Sequence, residues 1–318
     1  MPHKGHDLAA VVISFNSAED LPGCIQSLAA DAQVARILVL DNASGDDSAA
    51  IARSAGAEVL ALDENTGFAG GCNAGFAELA PSFEFLAFLN PDIRVTPGCL
   101  SKCIQSLREQ PEAAGVAPLL LRPGGELIDS AGQCLKPRKL EVEDRGYGRP
   151  LEGFPLHPQP VLAACGALAV FRTAALMEAV EAEGPWAQPY FCFWEDLELG
   201  WRLNNLGWKI LFEPEAQAIH GRGAGASKGG GPLRWRRSPY LEACILTNRW
   251  MTLIRHLHGR DFLRKLPSLL IWDGLVMGAG ILRRPALIAH LFRRWPLIRR
   301  EFKERKGRSR RRLEKYPC

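Results

Sequence analysis

The chain has 318 residues and a mass of 34.9 kDa, which allows one large α/β domain with an appendage or two small domains. Hydrophobic residues make up 47% and charged residues 23%, the proportions of an ordinary folded protein. The net charge of +4 is small, so any strongly basic character must be local.

The N-terminal sequence MPHKGHDLAAVVISF lacks the basic start, long apolar core and cleavage site of a signal peptide. No run of about 18 or more uncharged apolar residues exists, since the best candidate, residues 266–289, contains Asp273, Arg283 and Arg284. The sequence therefore predicts neither a secretory leader nor a transmembrane helix. We expect a cytoplasmic protein, either free or peripheral at the inner face of the membrane.

Short apolar segments alternate with helical patterns along the first 62 residues. Strands are predicted at 9–15, 36–40 and 59–62, and helices at 21–30 and 48–55. This alternation indicates βαβ units and therefore a mostly parallel sheet flanked by helices. Later strands are predicted at 85–89, 115–121 and 161–171, helices at 98–110 and 173–183, and an excursion of hairpins and loop at 124–160.

Polar residues follow the first two predicted strands, at Asn16 and Asp41. Ligands of open α/β sheets bind beyond the carboxyl ends of the strands, where a carboxylate can accept a hydrogen bond from a base or a ribose. Alternatively, Asp41 only caps the next turn, as Asp and Asn often do. The strand pattern leaves both interpretations open.

Residues 65–75, NTGFAGGCNAG, carry four glycines among eleven residues. The segment follows the third strand and lacks both GxGxxG and GK[ST], so it is neither a dinucleotide fingerprint nor a Walker loop. It is compatible with a tight turn feeding a helix whose N-terminus faces a diphosphate.

Further on, the apolar strand at 85–89 stops at Asn90-Pro91-Asp92, and a carboxylate at such a strand end can bind a cation that bridges phosphates.

The segment from Tyr190 to His220 opens with an aromatic run, places Glu195 and Asp196 side by side, and continues with a helical pattern that ends at Gly207. A strand at 208–212, a turn at 213–214 and a short apolar run follow. One interpretation is an ordinary helix cap and a strand-end histidine. The other is an aromatic pocket with a general base and a histidine metal ligand.

The residues after His220 change in character. Residues 221–231, GRGAGASKGGG, are compatible with a lid over phosphates, carrying Arg222, Ser227 and Lys228, or with a plain linker. From residue 239 onward, helices interleave Leu, Ile and Trp with arginine, which is typical of amphipathic helices on an anionic membrane surface. No nucleic-acid-binding motif accompanies this charge. The same helices can instead form a dimer interface, and residues 303–315 can be a solvated basic tail.

Six segments in this order resemble the inverting nucleotide-sugar glycosyltransferases of family 2, with the GT-A fold. They are VVISFNS, LVLDNASGDDS, NTGFAGGCNAG, FLNPDI, CGALAVFR and FWEDLELGWRLNNLGWKILFEPEAQAIH, and they span about residues 8–228. The branch most similar in pattern is that of the bacterial rhamnosyltransferases of surface-polysaccharide synthesis. The resemblance implies a GT-A domain at 1–235 and a basic helical region at 236–318.

The resemblance also implies roles for individual residues. Asp196 is the expected catalytic base with Glu195 beside it, while Asp92 and His220 are the expected ligands of Mg²⁺ or Mn²⁺. The expected nucleotide-sugar contacts are Phe15, Asn16, Asp41, Asn65, Gly67, Phe68, Asn73 and Asn90. Asn90 departs from the family's acidic triplet, which removes one negative charge near the cation.

The function implied by the resemblance is a metal-dependent, inverting sugar transfer. The expected donor is dTDP-rhamnose, with a UDP-hexose as the alternative, and the expected acceptor is a glycan or a polyprenyl-linked glycan. Adjacent carboxylates such as Glu195 and Asp196 cannot easily flank a glycosidic bond from both sides, which argues against a hydrolase. A catalytically degenerate scaffold that only binds nucleotide sugars is the non-enzymatic alternative.

Overall fold

The structure is a computed structural model that describes residues 7–136, 140–221 and 237–305. Its helices are α1 Leu21–Ala29, α2 Ser48–Ser54, α3 Gly67–Leu79, α4 Cys99–Glu109, α5 Thr173–Glu178, α6 Glu195–Leu206, α7 Pro239–His256, α8 Gly259–Arg283 and α9 Pro285–Glu304. Its strands are β1 Leu8–Ser14, β2 Val34–Asp41, β3 Glu58–Ala61, β4 Phe85–Leu89, β5 Ile93–Val95, β6 Ala113–Leu121, β7 Ile128–Ser130, β8 Gln133–Leu135, β9 Val142–Asp144, β10 Gln159–Val161, β11 Leu168–Arg172 and β12 Lys209–His220.

A mixed, twisted sheet forms the centre of the molecule. Its strand order is β10-β12-β6-β11-β4-β1-β2-β3, with β5 added beside β12 and β7 beside β6. The pairs β4–β1, β1–β2, β2–β3 and β6–β12 are parallel, whereas β11 runs antiparallel between β4 and β6. The predicted sheet flanked by helices is therefore present, and it extends further than the first three strands indicated.

Both faces of the sheet are covered, which explains the unbroken apolar sequence of β1. Every residue of β1 is buried. Even-numbered side chains of this strand pack with α1 and α4, and odd-numbered ones pack with α3 and α6. Since successive side chains of a strand point to opposite faces, a strand covered on both sides needs apolar residues at every position.

Three predicted elements differ from the structure, each because of tertiary pairing. Strand β12 continues through the predicted turn, since it pairs with β6 on both sides of an irregularity between Glu213 and Gln217. Pro214 lies at this irregularity, where the strand can lose one hydrogen bond. The apolar segment 161–171 is divided between β10 and β11, and helix α5 ends at Glu178, short of the predicted residue 183.

Helices α7, α8 and α9 share a hydrophobic cluster with the sheet domain. Trp194, Leu197 and Trp201 of the α6 region pack in it together with Met251 and Ile254 of α7. The proposed domain boundary at residue 235 thus separates segments that share one core. Among the helices within residues 7–136, 140–221 and 237–305, none combines the length and apolar character that crossing a bilayer requires.

A buried ionic network also joins α6 to the C-terminal helices. The carboxylate of Glu198 is fully buried and contacts Arg202 Nη2 at 2.7 Å, Arg255 Nη1 at 3.1 Å and His256 Nε2 at 2.9 Å. Arg255 in turn contacts Glu301 of α9 at 2.7 Å. Burial acts to raise the pKa of Glu198, but these cations hold it well below its usual range.

We expect Glu198→Ala to lower the free energy of unfolding by about 3–5 kcal/mol, because it leaves buried cations uncompensated. Urea unfolding at neutral pH measures the effect. Glu215→Ala is the matched control, since Glu215 pairs with Lys102 at the exposed surface, and we expect little change in the free energy of unfolding from it. Equal effects of the two substitutions would contradict a stabilising role for the network.

Because the pKa of Glu198 is lowered by folding, its contribution is present above the unfolded pKa and is lost as pH falls through the folded pKa. The stability difference between the wild type and Glu198→Ala should therefore shrink in acid. Unfolding curves across the acidic range test this direction.

Candidate active site

A cavity of about 440 Å³ lies beyond the carboxyl end of β4. Asn90 follows that strand, and His220 at the end of β12 lines the same cavity. The remaining lining residues include Phe68, Gln133, Gly166, Phe193, Glu195, Asp196 and Arg237. The fold thus brings Phe68 and His220, which are 152 positions apart in the sequence, to one cavity. This cavity lies at the carboxyl ends of the strands, where ligands of α/β sheets bind.

Asp196 lies in the first turn of α6, and its carboxylate is held from three directions. Oδ2 accepts hydrogen bonds from Gln133 Nε2 at 2.7 Å and from the backbone N–H of Gly166 at 2.9 Å. Oδ1 accepts one from the N–H of Leu197 at 2.8 Å. Burial raises the pKa of Asp196, while these donors favour its charged form. The group is therefore a positioned carboxylate with raised basicity.

Glu195, its neighbour, has a different environment. Its Oε2 is buried and has no hydrogen-bond partner among the described residues. Burial and the charge of Asp196 raise the pKa of Glu195 well above its usual range. Both pKa values are raised by burial, but only Asp196 has donors that favour its charged form, so the neutral form is favoured more strongly at Glu195 than at Asp196.

The backbone before α6 is strained. Phe191, Phe193 and Trp194 have φ values of 62°, 68° and 73°, which bulky side chains rarely adopt. Gly67 at the start of α3 packs directly against this loop, since a Cβ there would lie 2.2 Å from the carbonyl oxygen of Phe191. Such strain persists only where the surroundings enforce it, and here it directly precedes Asp196, the predicted base.

Asn248 of α7 holds this loop, and no pattern in the sequence indicated this role. Its Nδ2 lies 2.8, 2.9 and 2.8 Å from the carbonyl oxygens of Tyr190, Cys192 and Phe193. Arg294 of α9 donates to Asn248 Oδ1 at 2.7 Å and so fixes the amide's orientation. The C-terminal helices therefore contact the catalytic loop through a fully buried polar link.

The Gly-rich segment is a packing element more than a phosphate loop. Helix α3 begins inside it, at Gly67, and a Cβ at Gly75 would lie 2.4 Å from Val11 of the sheet. Asn65 Oδ1 accepts the N–H of Gly67 at 2.9 Å. Asn73 is buried, and its amide exchanges two hydrogen bonds with the backbone of Trp186. Asn73 thus supports the wall of the site and presents no free polar group.

Asn42 shapes the same turn and was missed by the sequence analysis. It is buried, donates to the carbonyl oxygen of Gly67 at 2.8 Å and accepts from the N–H of Thr66 at 2.8 Å. The pattern that could have identified it is its place directly after Asp41, at the carboxyl end of β2.

Phe15, Asn16 and Asp41 form a second group at the neighbouring strand ends, outside the residues that line the cavity. Asp41 is buried, and its Oδ1 has no hydrogen-bond partner among the described residues. Phe15 follows Ser14, the β1 residue that pairs with Asp41, and is 48% exposed. Asn16 Oδ1 accepts the N–H of Gly45 at 2.7 Å and so joins the two strand-end loops. An unpaired acceptor and an exposed aromatic residue at neighbouring strand ends fit a flat, hydrogen-bond-donating base.

Asp92 and His220, the two predicted metal ligands, lie close together, with Oδ2 and Nε2 3.4 Å apart. Asp129, which the sequence analysis placed in a variable excursion, contacts His220 Nδ1 at 2.7 Å. Burial lowers the pKa of His220, but the two carboxylates outweigh it and raise that pKa to about 9. A carboxylate on one ring nitrogen leaves the other directed at Asp92, the arrangement common in metal-binding histidines.

The donor set of Asp92 and His220 fits a divalent cation only with help from a substrate. No group of three His, Cys, Asp or Glu side chains in the described ranges could hold a metal by itself. Mg²⁺ commonly binds through one or two carboxylates plus substrate phosphates, so two protein ligands suffice when a diphosphate is bound. The predicted basic lid with Arg222, Ser227 and Lys228 lies outside the described residues.

Comparison with known families agrees with this geometry. The sequence profile of Glycosyl transferase family 2 matches residues 9–180, more than half of the chain. The chain belongs to glycosyl transferase family 2. It is therefore a glycosyltransferase, as the order of its motifs predicted. The matched range contains the strand ends with Asp41 and Asp92. Asp196 and His220 lie beyond it, so their place in the candidate site is supported by the geometry described above and not by the family match.

Individual relatives support the same assignment. The N-acetylglucosaminyl-diphospho-decaprenol L-rhamnosyltransferase of Mycobacterium tuberculosis (strain ATCC 25618 / H37Rv) is 24% identical over 241 residues, which are 67% of this chain and 75% of the relative. The crystal structure of GalNAc-T7 with UDP, GalNAc and Mn²⁺ superposes with a TM-score of 0.61 at 13% identity, covering 84% of this chain and 51% of that one.

A third similarity covers nearly the whole chain. The mannosyltransferase PcManGT from Pyrobaculum calidifontis, in complex with GDP-Man and Mn²⁺, superposes with a TM-score of 0.56 at 14% identity, over 96% of this chain and 87% of that one. At such identities the likeness concerns the fold. It confirms the predicted GT-A-like sheet of this family 2 member and its helical C-terminal part.

Proposed function

We propose that this family 2 enzyme transfers a sugar from a nucleotide donor to an acceptor hydroxyl, with inversion at the anomeric carbon and with a divalent cation bound. The observation that carries the proposal is the carboxylate of Asp196, held by three N–H donors in the cavity that His220 also lines. One positioned base is what a single direct displacement needs.

Asp196 removes the proton from the acceptor hydroxyl as its oxygen attacks the anomeric carbon. The raised pKa of Asp196 makes it a stronger base than an exposed carboxylate, while its hydrogen bonds keep it ionised and directed into the cavity. The raised pKa of Glu195 disfavours a second negative charge beside it. The acceptor proton therefore ends on Asp196 Oδ, and the bond between the sugar and the leaving diphosphate breaks as the new bond forms.

Asp92 and His220 are the side chains that bind the cation, with Nε2 and Oδ2 3.4 Å apart, and Asn90 lines the same cavity as His220. When bound, a divalent cation neutralises the charge that develops on the leaving nucleoside diphosphate. Asp129 fixes the ring of His220, so that Nε2 is presented towards the site. Mn²⁺ in the structures of GalNAc-T7 and PcManGT with nucleotide ligands supports this role.

Asp41 is the residue that recognises the base. Its unpaired, buried Oδ1 can accept the imide N–H that thymine and uracil share, while Phe15 covers the face of the ring. This contact fits dTDP- and UDP-sugars alike, so it leaves the choice between the two donors to other residues. The name of the mycobacterial relative, an L-rhamnosyltransferase that acts on a decaprenol-linked sugar, supports rhamnose as the transferred sugar and a lipid-linked glycan as acceptor. We propose dTDP-rhamnose as the first donor and a UDP-hexose as the second.

We expect one nucleotide sugar to raise the melting temperature in the presence of Mn²⁺ and much less in its absence, because the diphosphate completes the cation site. A ligand at a hundredfold excess over its Kd adds about 2.7 kcal/mol of stability. The measurement is a thermal-shift panel of dTDP-rhamnose, UDP-galactose, UDP-GlcNAc and GDP-mannose. Asp92→Asn should remove the Mn²⁺ dependence. A donor-induced shift without sugar transfer would favour the scaffold alternative, and no shift with any donor would contradict the proposed function.

A further inference from the structure

A second cavity, of about 520 Å³, lies between α7, α8 and α9. Its volume is within the range of about 300–1,000 Å³ that is common for small-ligand sites. Nearly all the side chains around it are apolar: Leu246, Thr247, Trp250, Phe262, Leu266, Leu270, Asp273, Met277, Leu291, Trp295, Ile298 and Phe302. Leu270, Trp295 and Phe302 remain 57%, 53% and 47% exposed, so this apolar cavity opens to the surface.

The apolar cavity and the catalytic cavity are separated by a single helix. Ile245 of α7 lines the catalytic cavity, while the next residues, Leu246 and Thr247, line the apolar cavity. Since an α-helix with its side chains is about 10–12 Å across, one molecule can occupy both cavities only if a short linker passes around α7. A head group, a linker and an apolar tail are the three parts such a molecule needs.

The charges around α7 indicate that the linker is anionic. Residues 237–305 contain 14 Lys and Arg against 5 Asp and Glu. Arg237, directly before α7, lines the catalytic cavity and lies over the ring of Phe193 at 5.0 Å. A diphosphate between a sugar and a hydrocarbon chain matches this distribution of charge.

We propose that the apolar cavity binds the isoprenoid chain of a lipid-linked acceptor, whose sugar enters the catalytic cavity and whose diphosphate lies near Arg237. This inference rests on the proposed function, because it takes the acceptor to be lipid-linked. It goes further in naming the part of the fold that recognises the chain. A concave, open, apolar site suits one flexible hydrocarbon chain better than the flat surface of a bilayer or of a second copy.

The first test measures binding without a donor, so that it does not depend on transfer. Decaprenyl phosphate in detergent micelles is titrated into the full chain while tryptophan fluorescence is recorded, since Trp250 and Trp295 lie in the apolar cavity. We expect saturable binding that Leu270→Gln weakens about tenfold through loss of apolar contact. Leu263→Gln is the matched control: Leu263 is also on α8 and 68% exposed but is not part of the lining.

The second test compares acceptors. With an N-acetylglucosaminyl diphosphate carried on decaprenol, Leu270→Gln should raise KM about tenfold, whereas KM for the same head group on a short, water-soluble chain should not change. Equal KM values in Leu270→Gln and Leu263→Gln for the long-chain acceptor would overturn the inference. Transfer to the short-chain acceptor would still support the proposed function.

Two further outcomes identify other occupants of the apolar cavity, and each overturns the inference. Binding to phosphatidylglycerol vesicles that is as strong as binding to decaprenyl phosphate, and equally sensitive to Leu270→Gln, would assign the cavity to the bilayer. A dimer that Leu270→Gln dissociates, seen by sedimentation in the absence of lipid, would assign it to a second copy. Saturable decaprenyl phosphate binding without transfer to any acceptor would support the cavity and contradict the proposed function.

Discussion

Asp196→Asn should lower kcat by about 10²–10⁴-fold, the usual contribution of a general base. The amide has nearly the shape of the carboxylate but cannot accept the acceptor proton. Donor affinity should remain close to that of the wild type, because the proposed role of Asp196 is to deprotonate the acceptor. Initial rates of sugar transfer, together with a thermal shift by the donor, measure both quantities.

Glu195→Gln is the matched control for this substitution. Burial and its charged neighbour raise the pKa of Glu195 well above its usual range, so the amide replaces a carboxyl group whose neutral form is favoured. We expect kcat to change by less than about tenfold, since no charged interaction is lost. A loss of activity in Glu195→Gln as large as that in Asp196→Asn would contradict the assignment of Asp196 as the base.

Asn248→Ala should lower kcat by about 10²-fold, because a displacement of about 1 Å in a catalytic group can have an effect of that size. The substitution removes the amide that contacts the carbonyl oxygens of Tyr190, Cys192 and Phe193, in the strained loop before Asp196. Those carbonyl groups stay buried without their donor, so we also expect a loss of about 1–3 kcal/mol in stability.

A positioning role for Asn248 is separated from a structural one by kinetics. The predicted signature is a lower kcat with an unchanged KM for the donor, measured at a temperature where the variant is fully folded. Thr247→Val is the control, because Thr247 accepts a hydrogen bond from the same Arg294 but contacts no carbonyl group of the loop. A similar fall in kcat in both variants would indicate general loosening of the C-terminal helices.

Local patterns predicted a large share of the fold, because its strands bury both faces. The apolar run of β1 and the spacing of the early helices follow from local burial and periodicity, and they led to the correct sheet. Strand β12 was divided wrongly, since its pairing with β6 on both sides of Pro214 is a contact between distant segments. No local signal reports such pairing.

The candidate site likewise contains residues that local patterns indicated and partners that only the fold brings near. The positions of Asp41, Asp92, Asp196 and His220 were predicted, because polar residues at strand ends and helix starts are visible in the sequence. Their partners were not. Asp129 is 91 residues from His220 along the chain, and its segment has the composition of a variable loop.

What the sequence by itself determined is the set of chemical groups and the strand ends on which they lie, because burial and periodicity are properties of neighbouring residues. Only the tertiary structure decided which groups support them: Asn42 under the Gly-rich turn, Asp129 behind His220, and Asn248 with Arg294 behind the catalytic loop. These contacts join segments far apart in the chain. Their physical basis is the need to pair every buried polar group, which is met by whichever segment the fold brings near.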